Sequence, residues 1–254
     1  MNNMMGPALK KLQAARQLLT PISGESCRPL PAPLGHAEAD ATLRGGLLHG
    51  ALHEVFAGDA SASTAGFAAG LARRVGGAKR VLWIRQDYAA LEYGEICVTG
   101  FAELGLDPAS LLVLRAADAT DALRAANDAL SCAALGAVIV ETAGNPKILD
   151  LVASRRLVLA AQNRNVTAIL LRLGATPEPS AAETRWLVRA VPSAAIEEWG
   201  LPRFDAELTR NRHGETGRWV MEWNCDDGVF RKPEDDQAAH TGAMAAAPAD
   251  RSAA

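Results

Sequence analysis

Apolar residues in this chain fall into short runs separated by helical stripes, and the two alternate from about Leu43 to Leu171. ALHEVFA (51–57) reads as a buried strand, VLWI (81–84) as a second and LLVL (111–114) as a third. AVIV (137–140) and VTAILL (166–171) make a fourth and a fifth. Between the first two, Phe67, Leu71 and Val75 repeat at i, i+4 and i+8. They mark the buried stripe of a helix over 64–75, which Gly76 and Gly77 stop. Asp118 to Ala134 predicts an alanine-rich helix carrying Leu123, Ala126 and Leu130, and Pro146 is expected to open another that runs to about Asn163. Continuously apolar strands that alternate with helices imply a parallel sheet covered on both faces.

After Pro177 the pattern changes. RWLVRAV, RFDAELTR and RWVMEW alternate apolar and polar residues, and NRHGETG joins the last two as a hairpin. The predicted fold class is α/β: a parallel sheet flanked by helices, extended by antiparallel C-terminal strands. Ahead of it, Leu9, Leu12, Ala15 and Leu19 lie near one face of a short helix over 8–19, either a docking helix or a partner-binding arm. Pro21 ends that helix, and Pro29, Pro31 and Pro33 read as a linker. The expected division is thus a helix and linker over 1–40, a core over 41–231 and a low-complexity, disordered tail over 232–254.

Composition narrows the function classes. The formal net charge is −3, and the tail from Lys232 supplies −2 of it, with two bases against four acids. Bulk charge therefore does not mark a nucleic-acid binder, and any such contact has to be a local patch. Cys27, Cys97, Cys132 and Cys225 are scattered without a CxxC pair, which argues against a zinc knuckle and a disulfide framework. Lys10, Lys11 and Arg16 interrupt the N-terminal apolar residues, so no signal-peptide core is seen, and no run approaches the roughly 18 apolar residues of a membrane span. A cytoplasmic location without membrane contact is expected.

Candidate chemistry centres on GDASASTAGFAAG (58–70), a small-residue loop that leaves the first strand and opens a helix. In a phosphate-binding loop of the form G-x-x-x-x-G-K-[ST], backbone amides cradle phosphate, the lysine reaches the terminal phosphates and the hydroxyl holds magnesium. Gly58 stands at the first glycine, Ser63 at the second, Thr64 at the lysine and Ala65 at the hydroxyl. The setting is kept, while the two side chains that perform the chemistry are replaced.

The succession EVFAGDASAST, VLWIRQDYAAL, LGLDPASLLVLRAADATDALRAANDAL, AVIVET, ASRRLVLAAQNRNVTAILLR and ELTRNR resembles the RecA ATPase core, in order, over about residues 50–225. More closely, GLLHGALHEVFAG, LGLDPASLLVLRA, ASRRLVLAA and PSAAETRWLVRAVPS resemble the ImuA family, RecA-like accessory proteins of bacterial SOS mutagenesis. The resemblance covers most of the chain, leaving out the first 40 or so residues and the tail. It places Asp87 where RecA proteins carry the glutamate that activates water, and Glu141 at the Walker B aspartate. It also places Arg172 where a glutamine senses the γ-phosphate, and Arg210-Asn211-Arg212 where Lys-x-Lys reaches a neighbour's nucleotide. The segments matching the DNA-binding loops are cut to TAGNPK and LGATPEPSAAET, so direct DNA binding through them is not expected.

What the resemblance implies is a non-catalytic RecA-like adaptor in SOS-induced translesion DNA synthesis. Its partners would be ImuB and an error-prone polymerase III alpha-type subunit, with RecA as a further contact, and no ATP is expected as cofactor. Two other readings compete. One is a divergent ATPase that substitutes Arg85 or Arg172 for the loop lysine. The other is a cell-division inhibitor resembling SulA, which the length and the long C-terminal strands fit less well.

Other residues are weighed more briefly. His49 and His53 have the spacing of a helical metal pair, but Gly50 and the following strand keep them off one helical face. Asp205 and Glu207 are spaced like paired carboxylates on what reads as the solvated face of a strand. Arg155 and Arg156, with Arg164, and Arg203, Arg210, Arg212 and Arg218 read either as an interface or as charge balance with Asp205, Glu207 and Glu222. Trp186, Trp219 and Trp223 read as core anchors of the terminal strands.

Overall fold

The computed structural model describes residues 30–59, 62–193 and 200–234; the helix expected over 8–19 and residues 235–254 of the tail expected over 232–254 lie outside them. The helices are α1 (Ala37–Thr42), α2 (Ser63–Gly76), α3 (Asp87–Tyr93), α4 (Val98–Glu103), α5 (Ala119–Ala129) and α6 (Leu151–Arg164). The strands are β1 (Leu52–Ala57), β2 (Arg80–Gln86), β3 (Leu111–Ala116), β4 (Leu135–Ala143) and β5 (Thr167–Leu173). They continue with β6 (Thr184–Val191), β7 (Arg203–Asn211), β8 (Gly217–Asn224) and β9 (Val229–Arg231).

The nine strands of the described residues form one sheet in the order β3-β2-β4-β5-β1-β6-β7-β8-β9. The five apolar runs are its parallel strands, as the pattern requires. β6 differs from expectation. Its alternating sequence groups it with the antiparallel strands, yet it pairs parallel with β1 and antiparallel with β7, so it is the strand at which the sheet changes direction. β4 and β5 are buried along almost their whole length because helices cover both sides.

Successive side chains alternate between the two faces. Val55, Trp83, Ile139, Leu171 and Trp186 face α2, whereas Leu52, Ile84, Val138 and Leu170 face α5 and α6. The α2 stripe of Phe67, Leu71 and Val75 is buried as predicted, and Phe67 meets the rings of Trp186, Phe204 and Phe230 at 5.5, 5.6 and 5.0 Å. Helix boundaries follow the caps. Asp118 accepts from Asp121 N–H to start α5. Asp150 does the same for Ala153 and starts α6, so Pro146 lies ahead of that helix in a turn. Asn165, at φ 55°, ends it in the left-handed region.

The stretch from Pro31 to Leu47 corrects the expected boundary at residue 40. It is packed into the core: Leu34, Ala39 and Leu47 are fully buried, and Ala32 and Leu47 exchange both backbone hydrogen bonds at 2.8 Å. The prolines set the path of an extended segment rather than a free linker. At the far end, β9 is a three-residue strand too short to stand out in the sequence. Its Phe230 N–H donates to Leu34 O at 2.9 Å, joining the start of the core to its end.

Candidate functional site at the strand C-terminal edge

The six parallel strands end together at one edge, where the loop after β1 leads into α2. Gly58 N–H donates to Val188 O at 2.7 Å and continues the β1–β6 ladder. A Cβ at Gly58 would stand 2.5 Å from Arg189 Cγ and 3.0 Å from Val188 O, so close packing of β6 favours glycine here. Asp59 Oδ2 accepts from Ala190 N–H at 2.6 Å and ties the loop to the same strand. Ser63 opens α2 without a side-chain cap from Ala62. Thr64, at the lysine position, is fully buried, and its Oγ1 has no hydrogen-bond partner among the described residues. Ala65 packs against the core.

Glu141 and Arg85 face each other in register on β4 and β2. Both are buried, at 2 % and 4 % exposure. Arg85 donates from Nε to Glu141 Oε2 and from Nη2 to Oε1, each at 2.8 Å, and Trp83 Nε1 donates to Oε2 at 2.8 Å. Glu141 therefore has both carboxylate oxygens engaged by its own neighbours, and its charge is matched by a guanidinium. Arg85 Nη1 lies 3.7 Å from the exposed Glu95. Asp87, the other acidic candidate, is exposed and paired with Arg115 at 3.0 Å. Gln86 points to the opposite face, where its Oε1 accepts from Ala143 N–H at 3.0 Å. An arginine substituting for the loop lysine has to be free to meet phosphate. Arg85 instead has Nε and Nη2 engaged by Glu141, while its buried Nη1 has no hydrogen-bond partner among the described residues.

Arg172 does not join this cluster. It alternates with Leu171 along β5 and so lies on the α6 face, beside Thr142 and Phe56. Its guanidinium stands 5.3 Å from the Phe56 ring centre and donates from Nη2 to Gly144 O at 3.3 Å. Burial pushes its pKa down, and its Nε has no partner among the described residues. Nearby, Arg185 stands 5.5 Å from the same ring, and Glu54 Oε2 accepts from Arg185 Nε at 2.8 Å and Ser180 Oγ at 2.9 Å. The single nucleotide site expected from Thr64, Glu141 and Arg172 is thus divided between two faces of the sheet.

The loops that follow β4 and β5 are bound to each other. Asn145 Nδ2 donates to Thr176 O and Thr176 N–H donates to Asn145 Oδ1, both at 2.8 Å. Among the interface candidates, Arg155 and Arg156 are exposed on α6. Arg210 Nη1 donates to Ser180 O at 2.9 Å, while Ser154 Oγ on α6 accepts from Ala181 N–H at 3.0 Å, so Ser154 and Arg210 hold neighbouring residues of one segment. Arg212 is exposed.

Asp205 is a correction. It is buried rather than solvated, and Arg218 binds it through two hydrogen bonds at 2.7 and 2.6 Å. Those bonds hold its carboxyl below the usual range. Arg203 is paired likewise with Glu222 at 2.7 Å.

His53 has the structural role its place in the first strand suggests. Trp186 Nε1 donates to Thr184 Oγ1 (3.1 Å), Thr184 bonds His53 Nδ1 (2.8 Å), and His53 Nε2 bonds Leu48 O (2.9 Å). Because a carbonyl only accepts, His53 carries its proton on Nε2 and takes the threonine hydroxyl proton on Nδ1. Complete burial lowers its pKa to about 4 and keeps it neutral. Sequence reasoning missed Trp83, Arg85 as a partner of Glu141, and Arg185. The i, i+2 spacing of Trp83 and Arg85 signals one face of a strand, but only the β2–β4 pairing shows what they meet.

These strands and helices define a RecA-like fold. The RadB recombinase crystal structure superposes with a TM-score of 0.54 at 16% identity, over 80% of this chain and 100% of that one. No protein-family model matches the chain. Protein ImuA of Caulobacter vibrioides, in two strains, is 31% identical over 199 residues, which cover 70% of this chain and 77% of that protein. The chain belongs to the ImuA family.

Proposed function

We propose that this chain is a RecA-like adaptor that does not hydrolyse ATP and serves SOS-induced translesion DNA synthesis by binding other proteins. The partners in this reading are an ImuB-type protein, an error-prone polymerase III alpha-type subunit and RecA. Membership of the ImuA family supports the system, and one observation carries the mechanism. The Glu141 carboxylate is closed off by Arg85 and Trp83 at the position where a nucleotide hydrolase holds its magnesium.

Two further features point the same way. Thr64 supplies no cation for a triphosphate, and removing a positioned cation from phosphoryl transfer forfeits a large electrostatic contribution. The mutual bonds of Asn145 and Thr176 hold together the two loops that would have to part around a nucleic-acid strand. Protein recognition needs none of this machinery. It uses the outer faces of a rigid sheet.

The test has two arms. Titration of the full chain with magnesium and a fluorescent ATP analogue is expected to give no saturable binding at millimolar nucleotide. Co-purification with ImuB is expected to give a stable complex by gel filtration. Tight, magnesium-dependent nucleotide binding that Glu141→Ala abolishes would overturn the non-catalytic reading, and failure to bind ImuB, the polymerase subunit and RecA alike would overturn the adaptor reading.

A further inference from the structure

We infer that the cavity between the C-terminal end of α2 and the segment 101–111 is a binding site for a small monocarboxylate with an apolar body, one aromatic ring or a short aliphatic chain. It opens at the opposite end of the parallel strands from the loop after β1, beside the first residues of β2 and β3, and stands apart from the adaptor reading. Its volume is about 250 Å³. For scale, an apolar protein cavity of about 150 Å³ takes up benzene.

The floor is apolar. Ala69 and Ala72 lie about one turn apart on α2, Ile139 sits midway along β4, and all three are buried. Phe101, Leu106 and Leu111 form the facing wall. The stripe of α2 fills the core with Phe67 and Leu71, but positions 69 and 72 carry alanine, and a side chain that stops at Cβ leaves space. Apolar atoms that line such a space lack contacts on one side, so an apolar guest gains by entering. Phe101 meets the Trp83 ring edge-on at 5.8 Å, which holds the wall in place.

The rim selects the head group. Arg73, Lys79 and Asp107 stand exposed around the mouth. Arg73 Nη1 donates to Gly77 O at 2.6 Å, and Lys79 Nζ donates to Ala133 O at 3.1 Å. Those carbonyls fix where the two cations stand without cancelling their charge, and neither cation has an ion pair among the described residues. The surrounding stretch RRVGGAKR (73–80) supplies four bases and no acid. Asp107 is the counterweight: its Oδ1 accepts from Ala109 N–H at 2.9 Å, and its charge lies at the same mouth. Two cations against one carboxylate match one further negative charge, so a carboxylate fits where a phosphate dianion would be repelled by Asp107. A cationic head would meet Arg73 and Lys79. An apolar floor under a rim with one charge to spare is the pattern of a site for a small amphipathic acid.

The experiment titrates 3-phenylpropionate into the full chain, with isoleucine, leucine and valine methyls labelled for NMR. Its controls are the neutral amide and the cationic amine of the same skeleton. Saturable shifts are expected at Ile139, Leu106, Leu111 and Val81, with the amide about fivefold weaker and the amine weaker still. Arg73→Gln with Lys79→Gln, both at exposed positions, is expected to weaken the acid about fivefold and to leave the amide unchanged. Asp107→Asn keeps an acceptor for Ala109 N–H and is expected to tighten the acid about twofold. Ala72→Leu fills the space and is expected to abolish binding of acid and amide alike; Ala69→Val does the same with a smaller side chain should Ala72→Leu fail to fold.

No saturable shift at those methyls would overturn the proposal. So would an amide or amine that binds as tightly as the acid, since the rim would then select nothing. Binding of the acid that the double glutamine variant leaves intact would have the same meaning. Binding that the filled variants leave intact would place the ligand elsewhere and overturn it too.

Discussion

On the α2 face of the strand edge, Arg85 meets the Glu141 carboxylate, which also accepts the Trp83 indole N–H; on the α6 face, Arg172 meets a carbonyl and an aromatic ring. Both guanidiniums are buried, yet only the first has a matched charge in contact. The α2 face therefore holds an ion pair whose halves are costly to separate. The α6 face holds a cation whose attraction to Phe56 and one carbonyl is individually modest. The comparison teaches that two buried cations at one strand edge can be held in different ways. On the α2 face the acidic residue Glu141 is built into the fold by its partners.

The largest expected effect tests that statement directly. Arg85→Ala leaves Glu141 buried and unmatched, and is expected to lower unfolding stability by about 3–5 kcal/mol in urea titration. Arg85→Leu combined with Glu141→Leu is expected to recover most of that loss, because packing replaces the pair. Equal loss in the single and double variants would mean that the pair matters for something besides its own charge.

A second test uses acid to probe the neutral group on the same face. His53 has a folded pKa of about 4, below its ordinary 6.5, so the unfolded chain binds the proton more readily. Stability is fully present above about pH 6.5 and falls as pH drops toward 4, by on the order of 3 kcal/mol. His53→Gln is expected to flatten the profile in that window. Asp205 is also depressed, so its contribution is lost lower, as pH falls below 3.8 and through its folded value. The two losses are separable in one pH series.

The α6 face should respond less. Arg172→Met keeps the stem over Phe56 and removes the charge; a loss of about 1 kcal/mol is expected, measured as a small shift in urea midpoint. A loss as large as that of Arg85→Ala would erase the contrast between the faces. The smallest effect is expected for Asn145→Ala. It removes two solvent-exposed loop hydrogen bonds that together are expected to contribute about 0.5 kcal/mol, and hydrogen exchange of 144–146 and 174–177 should quicken without global unfolding.

Much of the fold is legible in the sequence because five strands are continuous apolar runs and α2 has a regular stripe. The misses have physical causes. Pro31 and Pro33 look like a linker, but Leu34, Ala39, Leu43 and Leu47 bury against elements far along the chain. β6 alternates like an antiparallel strand because only its α2-facing residues, Thr184, Trp186 and Val188, are fully covered. The site was legible as a set of positions, through the replaced residues at Thr64 and Ala65. Its division between faces was not, since side-chain direction at Arg172 and the partner of Glu141 depend on a strand order that local pattern does not encode.

The bond between Leu34 and Phe230 has a consequence for how the chain is made. Phe230 seats its ring against Trp223 and Phe67, and Gly70 leaves the room, since a Cβ there would stand 2.6 Å from the Phe230 ring. Leu34 leaves the ribosome long before Phe230. A chain synthesised from its N-terminus therefore holds one side of α2 open until Phe230 has emerged. A stop codon or cleavage between Val191 and Val229 yields a protein with all its parallel strands and an unsealed aromatic seam, a natural target for cellular quality control.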